Sequence, residues 1–191
     1  MLRVMVVDES TECAARLRQG LQEAGHVVVA PLDSTIDILA QVERNKPDVI
    51  VISMDSPGRD SLEHICVVSQ NRPKPIVLFT QAQDSNTIEA AVRAGVTAYV
   101  VDGLESSRVH SILNVAVARF NQYQALQLEL AQSKAEIGER KQIERAKGLL
   151  MKQRRWDEDT AFRALRKMAM DRNIRLAEAA EQVIAVTKLL N

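Results

Sequence analysis

Six side chains of the N-terminal half have the types and spacing to share one oxygen-rich pocket: Asp8, Glu9, Ser53, Asp55, Thr80 and Asp102. Each stands at or just beyond the end of a short apolar run. Four carboxylates brought together repel one another, so either a cation binds among them or one stays protonated. Hydroxyls at 53 and 80 could orient a bound oxyanion but supply no charge of their own. No Ser/His/Asp or Cys/His constellation accompanies them, and His26, His64 and His110 are scattered along the chain without an assigned role. The pocket is therefore not expected to be that of an enzyme.

A second group of opposite sign lies near the other end. Arg145, Lys147, Lys152, Arg154, Arg155, Arg163, Arg166, Lys167 and Arg172 are dense enough to contact phosphates, and arginine can also stack on or fork to unpaired bases. Ala146 and Gly148, between and beside them, are small enough for a backbone to approach closely, whether the partner is RNA or another helix. Trp156 and Phe162 are the aromatics near this cluster; Trp156, at a helix junction, reads first as a core residue and second as a base-stacking platform. The balanced total of 25 basic and 25 acidic residues hides this division. Residues 1–104 carry nine Lys and Arg against 14 Asp and Glu, residues 105–191 carry 16 against 11, and residues 140–175 carry 12 against five. Such asymmetry suggests that the tail meets a polyanion or that the halves meet each other. A solvated helical face without a partner would look the same.

The elements that must hold these groups follow from patterning. Apolar, β-branched runs at 2–7, 26–30, 48–53, 75–79 and 97–101 read as strands buried on both faces. The second is closed by Pro31. Helical spacing occupies 11–24, 35–44, 62–69 and 86–94 between them, with Gly25 and Gly95 as stop signals. This alternation predicts a parallel, doubly wound α/β sheet. Ligands in such a sheet sit beyond the carboxyl ends of the strands, where strand order reverses; that rule is what collects the six oxygen-bearing residues. Cys13 and Cys66 fall inside apolar helical patterns and read as small buried hydrophobes of a reducing cytoplasm. The apolar start, 2–7, is too short for a leader, and no run nears the roughly 18 apolar residues of a membrane span.

After Gly103 the chain changes character. Val109, Leu113, Ala116, Phe120, Tyr123, Leu130 and Ile137 recur in a 4-3-4-3 rhythm, with Gln127 and Lys134 at the intervening seam places. The rhythm predicts one long helix whose first third, about 105–117, covers the sheet while the rest forms a short or weak coiled coil, hence a homodimer. Two further helices follow, one opened by Asp157, Glu158 and Asp159 and one over 176–190, separated by a polar break at 170–175. Three short helices with one apolar face each can bury a core only together.

The first 117 residues resemble the receiver domain of bacterial response regulators. The matching motifs are Val6-Val7-Asp8-Glu9, Ser56-Pro57-Gly58-Arg59-Asp60, Phe79-Thr80-Gln81-Ala82 and the run from Ala94 to Val100. The resemblance implies a flavodoxin-like five-stranded fold, an acidic pair (Asp8, Glu9) for Mg²⁺ and a hydroxyl (Thr80) for phosphoryl oxygens. Two places depart from the family pattern. Ser53 stands where the acceptor aspartate belongs, and Asp102 where the lysine belongs. Serine lacks the ionised carboxylate nucleophile that this chemistry needs, and Asp102 replaces a stabilising cation with a repelling charge. The expectation is a pseudo-receiver without a required cofactor, Asp8 and Glu9 being the one place left for Mg²⁺ and Asp55 the one remaining acceptor.

Residues 131–191 resemble the ANTAR module of RNA-binding antiterminators, through Ile143, the run Ala146 to Met151, Ala161-Phe162, Leu165-Arg166, Ala169-Met170, Leu176 and Ala179-Ala180. The whole chain is similar to the AmiR/NasT group, and within it to the NasT branch that regulates nitrate and nitrite assimilation operons. What this implies is a pseudo-receiver at 1–117, a coiled-coil helix at 118–136 and a three-helix ANTAR domain at 131–191. It further implies a dimeric cytoplasmic protein that holds leader-RNA hairpins and is sequestered by a ligand-sensing partner of the NasS/AmiC kind. A phosphorylation-dependent response regulator is the competing reading. DNA competes with RNA as the polyanion, since a basic three-helix unit can also serve duplex binding.

Overall fold

In a computed structural model, residues 1–8, 11–32, 38–101 and 106–189 are described, apart from the side chains of 11–13, 30–32, 106–107 and 188–189. The chain divides into two compact units, Met1–Gln124 and Ala125–Asn191. The first contains strands β1 (Arg3–Asp8), β2 (Val27–Leu32), β3 (Val49–Ser53), β4 (Ile76–Thr80) and β5 (Ala98–Val101). They form one parallel sheet in the order β2-β1-β3-β4-β5. Helices α1 (Thr11–Glu23), α2 (Ile38–Asn45), α3 (Arg59–Asn71) and α4 (Ser85–Arg93) connect them. Helix α5 (Ser106–Arg154) then runs continuously for 49 residues.

Strand alternation sorts the core into two layers. Met5, Val7, Ile50, Ile52, Ile76 and Leu78 point to one face and pack with Ile38 and Val42 of α2, Ile65 and Val68 of α3 and Ala91 of α4. Val4, Val6, Val49, Val51, Val77 and Phe79 point to the other, against Leu17 and Leu21 of α1 and Val109, Leu113 and Ala116 of α5. Each fully buried aliphatic side chain contributes about 1.5–3 kcal/mol. The unbroken β-branched runs are thus explained: a strand covered on both sides has no polar face to show. The first turns of α5 are core in the same sense, Val109, Leu113 and Ala116 all being fully buried.

Local chemistry sets the ends. Asp84 caps α4, its side chain accepting from the Thr87 N–H at 2.8 Å. Gly95 ends that helix at φ +102, and a Cβ there would lie 2.0 Å from Ser69 Oγ, so both the backbone angle and the space require glycine. Two sequence boundaries are corrected. Pro31 does not close β2, which continues through it to Leu32; β2 is an outermost strand, where a missing N–H is tolerated. The register against β1 shifts between Val4 and Met5, where Val29 is passed over two residues before Pro31.

In the second unit, the C-terminal part of α5 packs with α6 (Glu158–Arg172) and α7 (Leu176–Leu189). Ala146, Leu165 and Ala180 are its buried centre, with Ile143, Leu150, Leu176, Val183 and Ile184 half-buried around them. The polar break is shorter than 170–175: α6 continues through Arg172 and stops where Asn173 turns left-handed at φ 52, its N–H reaching the Ala169 and Met170 carbonyls. Asn tolerates that conformation, and the helix therefore ends at its last arginine rather than at its last buried alanine. Arg175 bridges Glu139 at 3.0 Å and Glu178 at 2.8 Å, exposed pairs that add little each. Among the described residues no helix is long and apolar enough to cross a membrane.

Candidate functional site

The sheet order reverses between β1 and β3, and Asp8 and Ser53 are register partners at the carboxyl ends of those two strands. Both are buried. Thr80 ends β4 and is also buried. Its hydroxyl donates to the Asp55 carbonyl at 2.9 Å and accepts from the Ala82 N–H at 3.2 Å. The Asp55 carbonyl takes a second bond from the Gln81 N–H, while its carboxylate side is exposed. Tyr99 donates its hydroxyl to the Ala82 carbonyl at 2.9 Å, and burial pushes its phenol above the ordinary range. The loop after β4 is thus tied down by two hydroxyls. Glu9 and Asp102, the other two candidates, lie outside the described residues.

This arrangement brings Asp8, Ser53 and Thr80 together at the strand ends and turns Asp55 outward. Of the pair expected to hold Mg²⁺, Asp8 is buried at the end of β1 and Glu9 lies outside the described residues. Among the described residues no three Asp, Glu, His or Cys side chains gather around a point that could hold a metal.

The basic residues divide by exposure. Arg145, Lys152, Arg154, Arg155, Arg163, Arg166, Lys167 and Arg172 are all exposed. Arg163 donates to the Asp159 carbonyl and Arg172 to Gln182. No ion pair joins Arg145, Lys152, Arg154, Arg155, Arg166 or Lys167 to a carboxylate among the described residues. Arg163, Arg166 and Lys167 share the outer side of α6, opposite Ala161, Leu165 and Ala169, and Arg145 and Lys152 lie one turn either side of Gly148 on the outer side of α5. A Cβ on Gly148 would meet nothing within 4 Å, so its smallness serves no contact inside this chain.

Two of the residues grouped by sequence fall elsewhere. Ala146 is fully buried between the helices, so its small size serves helix packing rather than an external backbone. Lys147 is 8% exposed, with its ammonium 2.8 Å from Glu144 and 2.7 Å from Glu158 and 5.9 Å above the Phe162 ring. The Glu144 and Glu158 carboxylates hold it above the ordinary lysine range, and it in turn holds Glu158 low. That charge is spent joining α5 to α6. Trp156, which reads first as core, is 37% exposed and does not belong to the buried centre.

Histidine pairing is not visible in the sequence. His26 Nε2 lies 3.0 Å from His110 Nδ1, with the ring centroids 5.1 Å apart. The Leu2 N–H donates to His26 Nδ1, and Asn114 continues the chain from His110 Nε2. With Nδ1 accepting from Leu2, a neutral His26 carries its proton on Nε2, within hydrogen-bond distance of His110. Burial, the neighbouring His110 charge and the N-terminal amine all hold His26 below its ordinary value of about 6.5. The folded state resists a proton that the unfolded chain accepts, so stability is present above that value and lost as pH falls through it. Urea unfolding of the first unit should therefore show a lower midpoint at pH 5.5 than at 7.5, and His26→Gln should flatten the difference. An unchanged pH profile in that variant would show that other groups cause it.

Comparison with known proteins bears on both units. The family model described as response regulator receiver domain matches residues 4–114, and that described as ANTAR domain matches 131–184. The chain is 30% identical over 182 residues to the transcriptional regulatory protein PdtaR of Mycobacterium tuberculosis, covering 95% of this chain and 89% of that one. It is 44% identical over 69 residues to the nitrate regulatory protein of Klebsiella oxytoca, a match covering 36% of this chain and 17% of that protein. The signal receiver domain of a modulated diguanylate cyclase from Desulfovibrio desulfuricans superposes with a TM-score of 0.57 at 21% identity, over 64% of this chain and 98% of that one, which is a likeness of fold.

Proposed function

Because the chain belongs to the response-regulator family, its receiver domain being followed by an ANTAR domain, we propose that it is an RNA-binding transcription antitermination regulator. The observation that carries this reading is the set of exposed cations with no carboxylate ion pair among the described residues: Arg145, Lys152, Arg154, Arg155, Arg166 and Lys167. Charges held this way remain available to phosphates, and arginine adds stacking and forked bonds to unpaired bases. Gly148, open on the same side of α5 as Arg145 and Lys152, lets a sugar–phosphate backbone come close.

The finer reading is a regulator of nitrate and nitrite assimilation genes, as in the NasT branch, acting in the cytoplasm on paired leader-RNA hairpins; the similarity to the nitrate regulatory protein supports it. Sequestration by a ligand-sensing partner of the NasS/AmiC kind controls it. Two copies join through α5, where Tyr123, Leu126, Leu130 and Ile137 are exposed along a helix that buries little of itself there. A long exposed helix is marginal alone, and a second copy covers that stripe. A gel-shift titration with a two-hairpin leader RNA, against duplex DNA of equal length, tests the proposal. RNA should bind tighter, with a steep salt dependence; equal affinity for the two would sink it.

Control by phosphorylation is the second reading, and the exposed Asp55 carboxylate is what keeps it in view. Ser53 occupies the acceptor's position and is buried beside Asp8. Incubation with acetyl phosphate and Mg²⁺ should leave the mass of the intact protein unchanged. Labelling that disappears in Asp55→Asn would establish the phosphorylation reading instead.

A further inference from the structure

Trp156 is the chain's only tryptophan, and it lies in the link between α5 and α6 with 37% of its surface open. Tryptophan is highly buried on average, and the buried centre of this unit is built without it. The backbone on either side of it is well defined. Arg155, just before it, is left-handed at φ 53, a conformation that costs an ordinary residue about 1–2 kcal/mol. Glycine or asparagine commonly takes such a place, as Asn173 does after α6. Here an arginine does, and it is exposed. Just after it, Asp157 caps α6, its side chain accepting from the Thr160 N–H at 3.0 Å. Trp156 is thus fixed between a left-handed turn and a helix cap.

The stretch of chain that carries it is positive. Residues 145–167 contain eight Lys and Arg against three Asp and Glu. Asp157 is used by the cap, and Glu158 pairs with Lys147, which leaves seven cations against Asp159. Phe162, one turn into α6, is 39% exposed, with the Lys147 ammonium near its ring. A ligand suited to an exposed aromatic face in a cation-rich stretch of chain has a flat π-face of its own and carries negative charge. A nucleic-acid base with its phosphate fits, and only an unpaired base offers its face, since duplex bases are covered by their neighbours.

We propose that Trp156 is the stacking platform for an unpaired base in the loop of an RNA hairpin, with the surrounding arginines holding the flanking phosphates. This rests on the RNA-binding reading above and assigns the residue that separates loop from stem. Stacking on an aromatic side chain tolerates any base, so Trp156 supplies affinity for single-strandedness, and base identity is read elsewhere.

A single tryptophan makes the test direct. The full chain is titrated with a hairpin RNA and with its stem alone as a blunt duplex, following tryptophan emission, while anisotropy of the labelled hairpin reports affinity. The hairpin should quench the emission and the duplex should not. Trp156→Leu, which keeps apolar bulk, should weaken hairpin binding about tenfold, and Trp156→Phe should recover most of it. The salt slope should be the same in all three proteins, because no charge changes. Hairpin binding without quenching, and at wild-type affinity in Trp156→Leu, overturns the stacking role and leaves RNA binding standing. No binding of either RNA by anisotropy overturns both. A change in emission with protein concentration alone, absent RNA, assigns Trp156 to a contact between copies and overturns the proposal. Should Trp156→Leu melt the tail, seen as lost helicity, the wild-type quench and the Phe variant decide.

Discussion

Leu165→Ala is expected to unfold the C-terminal unit while the receiver unit stays folded. Among the described residues after Gln124, Leu165 is the one large side chain that is fully buried; its companions at the centre are two alanines. Removing three carbons from such a place costs about 2–5 kcal/mol in transfer and cavity terms. A unit of 67 residues with a centre of three side chains has little more than that to lose. Calorimetry should show the transition of the tail lowered or gone and that of the sheet unmoved. Hairpin RNA affinity should vanish with it, since the basic face exists only when α5, α6 and α7 are together. A variant that melts like the wild type would mean that the helices are held by something other than this core.

The quadruple change Arg145→Ala, Lys152→Ala, Arg166→Ala and Lys167→Ala is expected to lower RNA affinity by about a hundredfold or more near 100 mM salt. All four are exposed on the outer sides of α5 and α6 and away from the buried alanines, so stability should hardly move. Every phosphate that is no longer neutralised takes about 0.7 from the slope of log affinity against log salt for a single strand, so the slope should flatten by about three. Lys147→Met is the informative contrast. Its ammonium is already taken by Glu144 and Glu158, so it should lower stability and leave the salt slope alone. If instead Lys147→Met flattens the slope and the four exposed changes do not, the RNA lies on the other side of the helices.

What can be read from the sequence, and what cannot, follows from range. Apolar runs rich in valine and isoleucine announce a sheet covered on both sides because burial acts on each residue where it stands. The same local logic finds Asp8, Ser53 and Thr80, since a strand's end is visible in its own sequence. The His26–His110 pair has no such signal: its members are 84 residues apart, and they meet only because α5 returns across the edge of the sheet where β2 begins. Lys147 misleads for a related reason. A charge count treats every lysine as solvated, whereas Glu158 reaches it from a different helix. The average habit of tryptophan points Trp156 towards the core, and neither its exposure nor the left-handed turn at Arg155 just before it has a mark in the sequence. Boundaries differ where a residue's usual meaning is overruled by its place, as with Pro31 in an outermost strand.

Pro31 has a further consequence. A parallel sheet ends in two rims, and each rim offers backbone donors and acceptors to any extended chain that comes near. One rim here is β2, where a proline has removed a donor and the register slips against β1. The other is β5, only four residues long. Neither offers a stranger's strand a long, regular ladder, so growth of the sheet from protein to protein is discouraged at both margins. The helix-to-helix pairing of copies proposed above would gain from this, because fibre-like stacking is closed off while that pairing remains open.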